Sequence, residues 1–256
     1  MSSALIPHQT PQLTELRDQL AAVRGTLAER ESELADLRAQ LKSFEGRYLR
    51  QVGILYADLD DLEARIAERE VDLYDSDSAR QHAAETRQRA NETHEAAFGE
   101  AHEAPEFDPP PTLKSLFRDV AKRIHPDFAR DPDEQAHFTR LMARANEAYT
   151  RGDIHTLQRI LDDHQEITAV ADEGPAAELL RINRQIEHAL RDIVALEQER
   201  ANLLTSEIAQ LHLDAAAAKL EGRDLLTELA ANLREQVADA QLRFEKIDRQ
   251  IKAHGR

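Results

Sequence analysis

Cysteine and tryptophan are absent from this 256-residue chain, and aromatic residues make up only 4% of it. Without cysteine there is no disulfide and no thiolate metal site. With so few aromatics there is little material for a thick globular core. No apolar run approaches membrane-spanning length, and the opening residues MSSALIPHQT carry neither a basic stretch nor an apolar one. Neither a membrane span nor a secretory leader is therefore expected, and a cytoplasmic setting is. A glycine-rich phosphate loop is also missing. His94-Glu95 and His102-Glu103 begin like zinc-protease pairs, yet neither has a second histidine at the required spacing. The 11 histidines are scattered; His155 and His164 are placed for a shared side of a helix but offer too few ligands for a metal. The chain is accordingly not expected to be an enzyme: no catalytic residue, no metal and no cofactor. A net charge of −16 argues against nucleic acid or an anionic membrane as partner of the whole molecule.

What is present is charge and leucine. Charged residues reach 32%, in a background of Leu, Ala, Glu, Arg, Asp and Gln that suits long solvated helices. The few prolines divide the chain: after Pro7 and Pro11 none occurs until Pro105, and none follows Pro175. Two uninterrupted arms around a punctuated middle are expected. The first arm covers 10–104, with Thr10 as N-cap and Pro11 at the first helical position. Its seam runs through Leu13, Leu16, Leu20, Val23, Leu27, Leu34, Leu37, Leu41, Phe44 and Tyr48, slips by one residue at Val52, and resumes through Leu55, Leu59, Leu62, Ile66 and Leu73. This is the heptad pattern of a coiled coil with a stutter. A break is expected near 75–78, at Asp75-Ser76-Asp77-Ser78, followed by an Ala-rich helix with weak anchoring. A Pro-rich linker occupies 105–111. The second arm covers 175–254, with a similar seam, a register shift after Leu196, a slip between Leu233 and Val237, and a candidate hinge near 222.

The middle, 112–165, has a different character. Residues 112–124, TLKSLFRDVAKRI, form an amphipathic helix with Leu113, Leu116, Phe117, Val120, Ala121 and Ile124 on one face. Lys114, Arg118, Lys122 and Arg123 make the remainder basic, against the single acid Asp119. His125-Pro126-Asp127 ends that helix, because a residue before proline is pushed to extended backbone. Asp131, Pro132 and Glu134 then read as N-cap, first position and capping box of a second helix, with Phe138, Leu141, Met142, Ala145 and Tyr149 as its apolar stripe. Gly152 closes it, and Asp153 caps a short third helix through Leu161. The product is an antiparallel helical hairpin with His-Pro-Asp at its tip.

LKSLFRDVAKRIHPD followed by LMARANEAY resembles the J-domain of the DnaJ family of co-chaperones. The resemblance covers about 112–150. It implies an all-α fold, with long coiled-coil arms flanking a small J-domain-like hairpin. It also implies a partner, a DnaK-type ATPase chaperone whose hydrolysis the protein would stimulate. In that role His125, Pro126 and Asp127 would contact the partner, and Lys114, Arg118, Lys122 and Arg123 would hold its acidic face. Phe117, Val120, Ile124, Met142 and Tyr149 would be core. The arms would serve client binding, scaffolding or oligomerisation.

Several family features are missing. The family's first helix has no counterpart, so Phe98 or Phe107 is expected in its packing position. The Gly/Phe-rich linker and Cys-rich zinc region are absent too. The alternative is a coiled-coil scaffold or adaptor whose J-like module no longer couples to a chaperone. For the arms, a homo-oligomer through one arm, intramolecular pairing, and a bend at Gly222 that folds the second arm onto itself are all open. The similar arm lengths favour an antiparallel fold-back with Tyr48 near Val237 and the hairpin at the tip.

Overall fold

The computed structural model describes residues 9–98, 107–164 and 174–253, and within them the chain is helical with no strand. The elements are α1 Gln9–Tyr48, a π turn Leu49–Gly53, α2 Ile54–Tyr74, α3 Asp77–Phe98, α4 Pro111–Ile124, a 3-10 turn Pro126–Phe128, α5 Pro132–Thr150, α6 Ile154–Asp163, α7 Pro175–Leu204, α8 Glu207–Leu220 and α9 Leu225–Ala253. The expected all-α class holds. Residues 99–104 of the Ala-rich segment, His102-Glu103 within it, and residues 105, 106, 165 and 254 of the expected segments lie outside the described residues.

Two compact units interleave along the chain. One is built from the described parts of Met1–Gln40 and Phe107–Ser206, the other from those of Leu41–Glu106 and Glu207–Arg256. In the first unit α4, α5 and α6 pack on one another around Leu113, Phe117, Val120, Ile124, Phe138, Met142, Ala145, Tyr149, Leu157 and Ile160. The residues expected in the core are there. Ala28 and Ala35 of α1 close one side of this cluster, and Phe107 packs against it. Phe107, rather than Phe98, therefore fills the expected packing position: its ring lies edge-on to Tyr149 at 5.6 Å, whereas Phe98 is half exposed beside His94.

The local signals in the middle are realised closely. His125 is extended (φ −63, ψ 135) before Pro126. Asp131 accepts from the Glu134 amide at 2.8 Å, and the Glu134 carboxylate accepts in return from the Arg130 amide. Gly152 takes positive φ (+70), and Asp153 caps α6 through the Thr156 amide at 3.0 Å. At the other end of the chain Thr10 is not the N-cap, since α1 already includes Gln9.

The arms run parallel, not antiparallel. In the first unit Leu13, Leu20 and Leu27 of α1 bury against Ile182 and Ala189 of α7. Ion pairs Arg17–Glu178, Arg30–Glu197 and Arg38–Glu199 then climb both helices in the same direction. Within the second unit Phe44 and Val52 cluster with Leu226 and Leu233, and Leu62 and Ile66 with Ala240, Phe244 and Ile247, again in rising order. The antiparallel expectation assumed a first arm extended through residue 104. Instead the chain reverses at Asp75, whose φ of 43 ends α2 in the left-handed region, and α3 returns along α2. Ser76 accepts from the Ala79 amide to start α3, and Arg80 ties the turn to Asp75 and Asp77.

The anchoring of α3 is stronger than its composition suggests. Ala83, Ala90 and Ala97 recur at seven-residue spacing and are all buried, as are Ala57 and Ala64 of α2. Methyl groups in register let two helices pack by close approach where large side chains are lacking. Arg87 then reaches across to Asp61 at 2.7 Å and Glu68 at 2.8 Å, and Thr93 donates to Asp60.

The slip in the first seam has a structural counterpart. The π turn Leu49–Gly53 adds one residue where the spacing slips, so Val52 is fully buried and the seam regains phase. Deleting Arg50 should convert this turn to α-helix and change stability by no more than about 1 kcal/mol. Deleting Asp58, within regular α2, would rotate every later seam residue by about 100° and should cost several times more. Thermal melting of the two deletions checks this ordering. In the second arm the Gly222 hinge is a tight turn with φ +75. A further break at Thr205-Ser206 stands where only a register shift is visible in the sequence.

Candidate docking site

His125-Pro126-Asp127 sits between α4 and α5, as the hairpin requires. The Asp127 amide donates to Nδ1 of His125 at 3.2 Å, and the Phe128 amide to the His125 carbonyl at 3.0 Å, which fixes the turn. Because Nδ1 accepts, the ring proton belongs on Nε2, which faces Glu31 of α1 at 3.7 Å.

The turn is not presented to solvent. The side chains of His125 and Asp127 are 7% and 9% exposed, enclosed by α1 on one side and α7 on the other. Phe128 is the wedge: it joins the seam formed by Leu13, Leu20, Leu27, Ile182 and Ala189. The Arg24 guanidinium lies 4.3 Å from its ring centroid, and burial holds that guanidinium below its ordinary pKa. The Phe128 carbonyl accepts from buried Gln185 at 3.1 Å. Asp127 is pushed up to about 6, chiefly by burial and then by Asp192 of α7 beside it, with His125 and His188 opposing.

The four basic residues divide. Lys114 pairs with Asp36 at 2.9 Å and Arg118 with Glu29 at 2.8 Å, both acids on α1. Arg123 instead donates to the Leu161 carbonyl at the end of α6 at 3.3 Å, and Lys122 is exposed. Two of the four basic residues are thus engaged by acids of α1 in the same chain. Phe128, Gln185, Asp192, Glu29, Glu31 and Asp36 escape sequence reasoning, because each acts across a long separation. Phe128 alone leaves a trace, as a large apolar residue in a loop that belongs to no helical stripe.

Elsewhere, His164 is buried against His137 and Phe138, with ring centroids at 5.4 and 5.7 Å, and burial holds its pKa below the ordinary value. His155 is exposed. Among the described residues no helix is long and apolar enough to cross a membrane. Comparisons with protein-family models, with curated proteins and with solved structures find no match.

Proposed function

We propose that this protein is a J-domain-type co-chaperone held in a closed form, which binds a DnaK-type ATPase and stimulates it once the His-Pro-Asp turn is released from α1 and α7. The reading rests on one observation: the tripeptide forms the turn of a helical hairpin directly after a basic helix. In this reading it works in the cytoplasm, has no catalysis of its own, and uses the arms to scaffold or to hold a client. The pairing of Lys114 and Arg118 with acids on α1 supports it, since two residues of that face already hold carboxylates of the same chain. Closure then competes with the chaperone for the same face.

Burial of the turn also favours a second reading, in which the module is a permanent building block of a scaffold. The two differ in what opening does. Replacing Glu29 with Lys repels Arg118 and removes one partly exposed ion pair, worth about 0–1 kcal/mol to the fold. Binding to a labelled DnaK-type ATPase, measured by fluorescence anisotropy, should tighten up to about fivefold and vanish when His125→Gln is added. Absence of binding by every variant would leave the scaffold reading.

A further inference from the structure

We propose that His125, Asp127 and Asp192 bind a divalent transition-metal ion, of the zinc class, that ties the His-Pro-Asp turn to α7. One ligand atom from each of the three lies within 4.8 Å of the others. The second observation is Asp127 itself. Its side chain is 9% exposed, and its Oδ2 is fully buried with no hydrogen-bond partner. Two carboxylates bond to each other only by sharing a proton, so with both ionised Asp192 beside it does not satisfy that oxygen. A buried polar atom without a partner costs about 1–3 kcal/mol and more when charged, and a cation that takes Nδ1 of His125 in place of the Asp127 amide would satisfy both carboxylates.

Charge and ligand type select the ion. Two carboxylates and a neutral imidazole sum to −2, which a divalent ion neutralises where burial would otherwise penalise each charge. Imidazole nitrogen suits Zn2+, Ni2+, Cu2+ or Fe2+, whereas Ca2+ and Mg2+ take oxygen ligands in larger or stricter shells. Bond lengths of about 2.0–2.2 Å place tetrahedral donors about 3.4 Å apart, so side-chain rotations of about 1 Å close the site. Nδ1 of His125 is the nitrogen on the Asp127 side, so Nε2–H stays toward Glu31 as an outer partner and water completes the shell. No spacing motif announces the site, because Asp192 belongs to the second arm. It stands on its own geometry, whether or not the module couples to a chaperone.

The test uses full-length, chelator-stripped protein and no chaperone. Calorimetric titration with ZnCl2 should give one ion per chain at micromolar or tighter affinity, and CoCl2 should develop the visible absorption of a low-coordinate ion. CaCl2 and MgCl2 should give neither. Asp192→Asn, at a partly exposed position on α7, should keep the helical circular dichroism and bind zinc at least about tenfold more weakly; Asp127→Asn should do the same. His155→Ala, removing an exposed histidine away from the site, should bind like the parent. No stoichiometric uptake by the parent, or parent-like affinity in both aspartate variants, would overturn the proposal.

Discussion

Replacing Tyr149 with Ala should cost about 3–5 kcal/mol of stability, the range for removing a large aromatic from a packed core. Tyr149 is 0% exposed. Its ring meets Phe117 at 4.7 Å and Phe107 at 5.6 Å, and its hydroxyl donates to Asp36 of α1. Burial, and then Asp36, raises the phenol above its ordinary pKa, so the hydroxyl remains a donor throughout the neutral range. Tyr149→Phe separates the two contributions. It keeps the ring and loses one hydrogen bond, a net change of about 0.5–1.5 kcal/mol, with Lys114 still beside Asp36. Urea unfolding followed by helical circular dichroism measures both. A loss below about 1 kcal/mol for Tyr149→Ala would show that the face assignment of α5 is wrong.

Phe128→Ala should have an effect of similar size but in a different place. A phenylalanine truncated in a packed site costs about 3–5 kcal/mol, against about 0–1 kcal/mol for each partly exposed ion pair on α1. The apolar wedge, not the charge pairs, therefore dominates closure. Phe128 belongs to the α1–α7 seam and not to the α4–α6 core. Amide exchange over residues 125–130 should thus accelerate by about a hundredfold or more, while residues 113–124 stay protected. Loss of protection across both stretches would mean that the turn and the helical core open as one unit.

How much of this was legible in the sequence depended on range. Local signals translated directly: Asp131 and Glu134 cap α5, Gly152 and Asp153 separate α5 from α6, and the slip at Val52 became a π turn. Each needs only neighbours within a turn or two. The direction of arm pairing did not follow, because it depends on the reversal at Asp75 and on an alanine face whose methyl groups look unremarkable one by one. The break at Thr205-Ser206 lacks proline and glycine, so it resembled a register shift. At the site, the tripeptide and the inner stripe of the hairpin were readable, as were Lys114 and Arg118 as one basic face. Its covering was not. Glu29, Glu31 and Asp36 are ordinary acids of a solvated helix until the module lies on them, and Arg123 turned inward to a carbonyl at the end of α6.

Under the proposed function, a coupling-competent His-Pro-Asp turn is held shut by the chain's own arms. The most direct test of this closure is steady-state ATP hydrolysis by a DnaK-type ATPase titrated with three proteins: the parent, Phe128→Ala, and Phe128→Ala combined with His125→Gln. Closure predicts weak stimulation by the parent, stimulation stronger by about tenfold or more once the wedge is removed, and none when His125 is also replaced. Equal hydrolysis in all three titrations, with Phe128→Ala shown by exchange to expose residues 125–130, would contradict it.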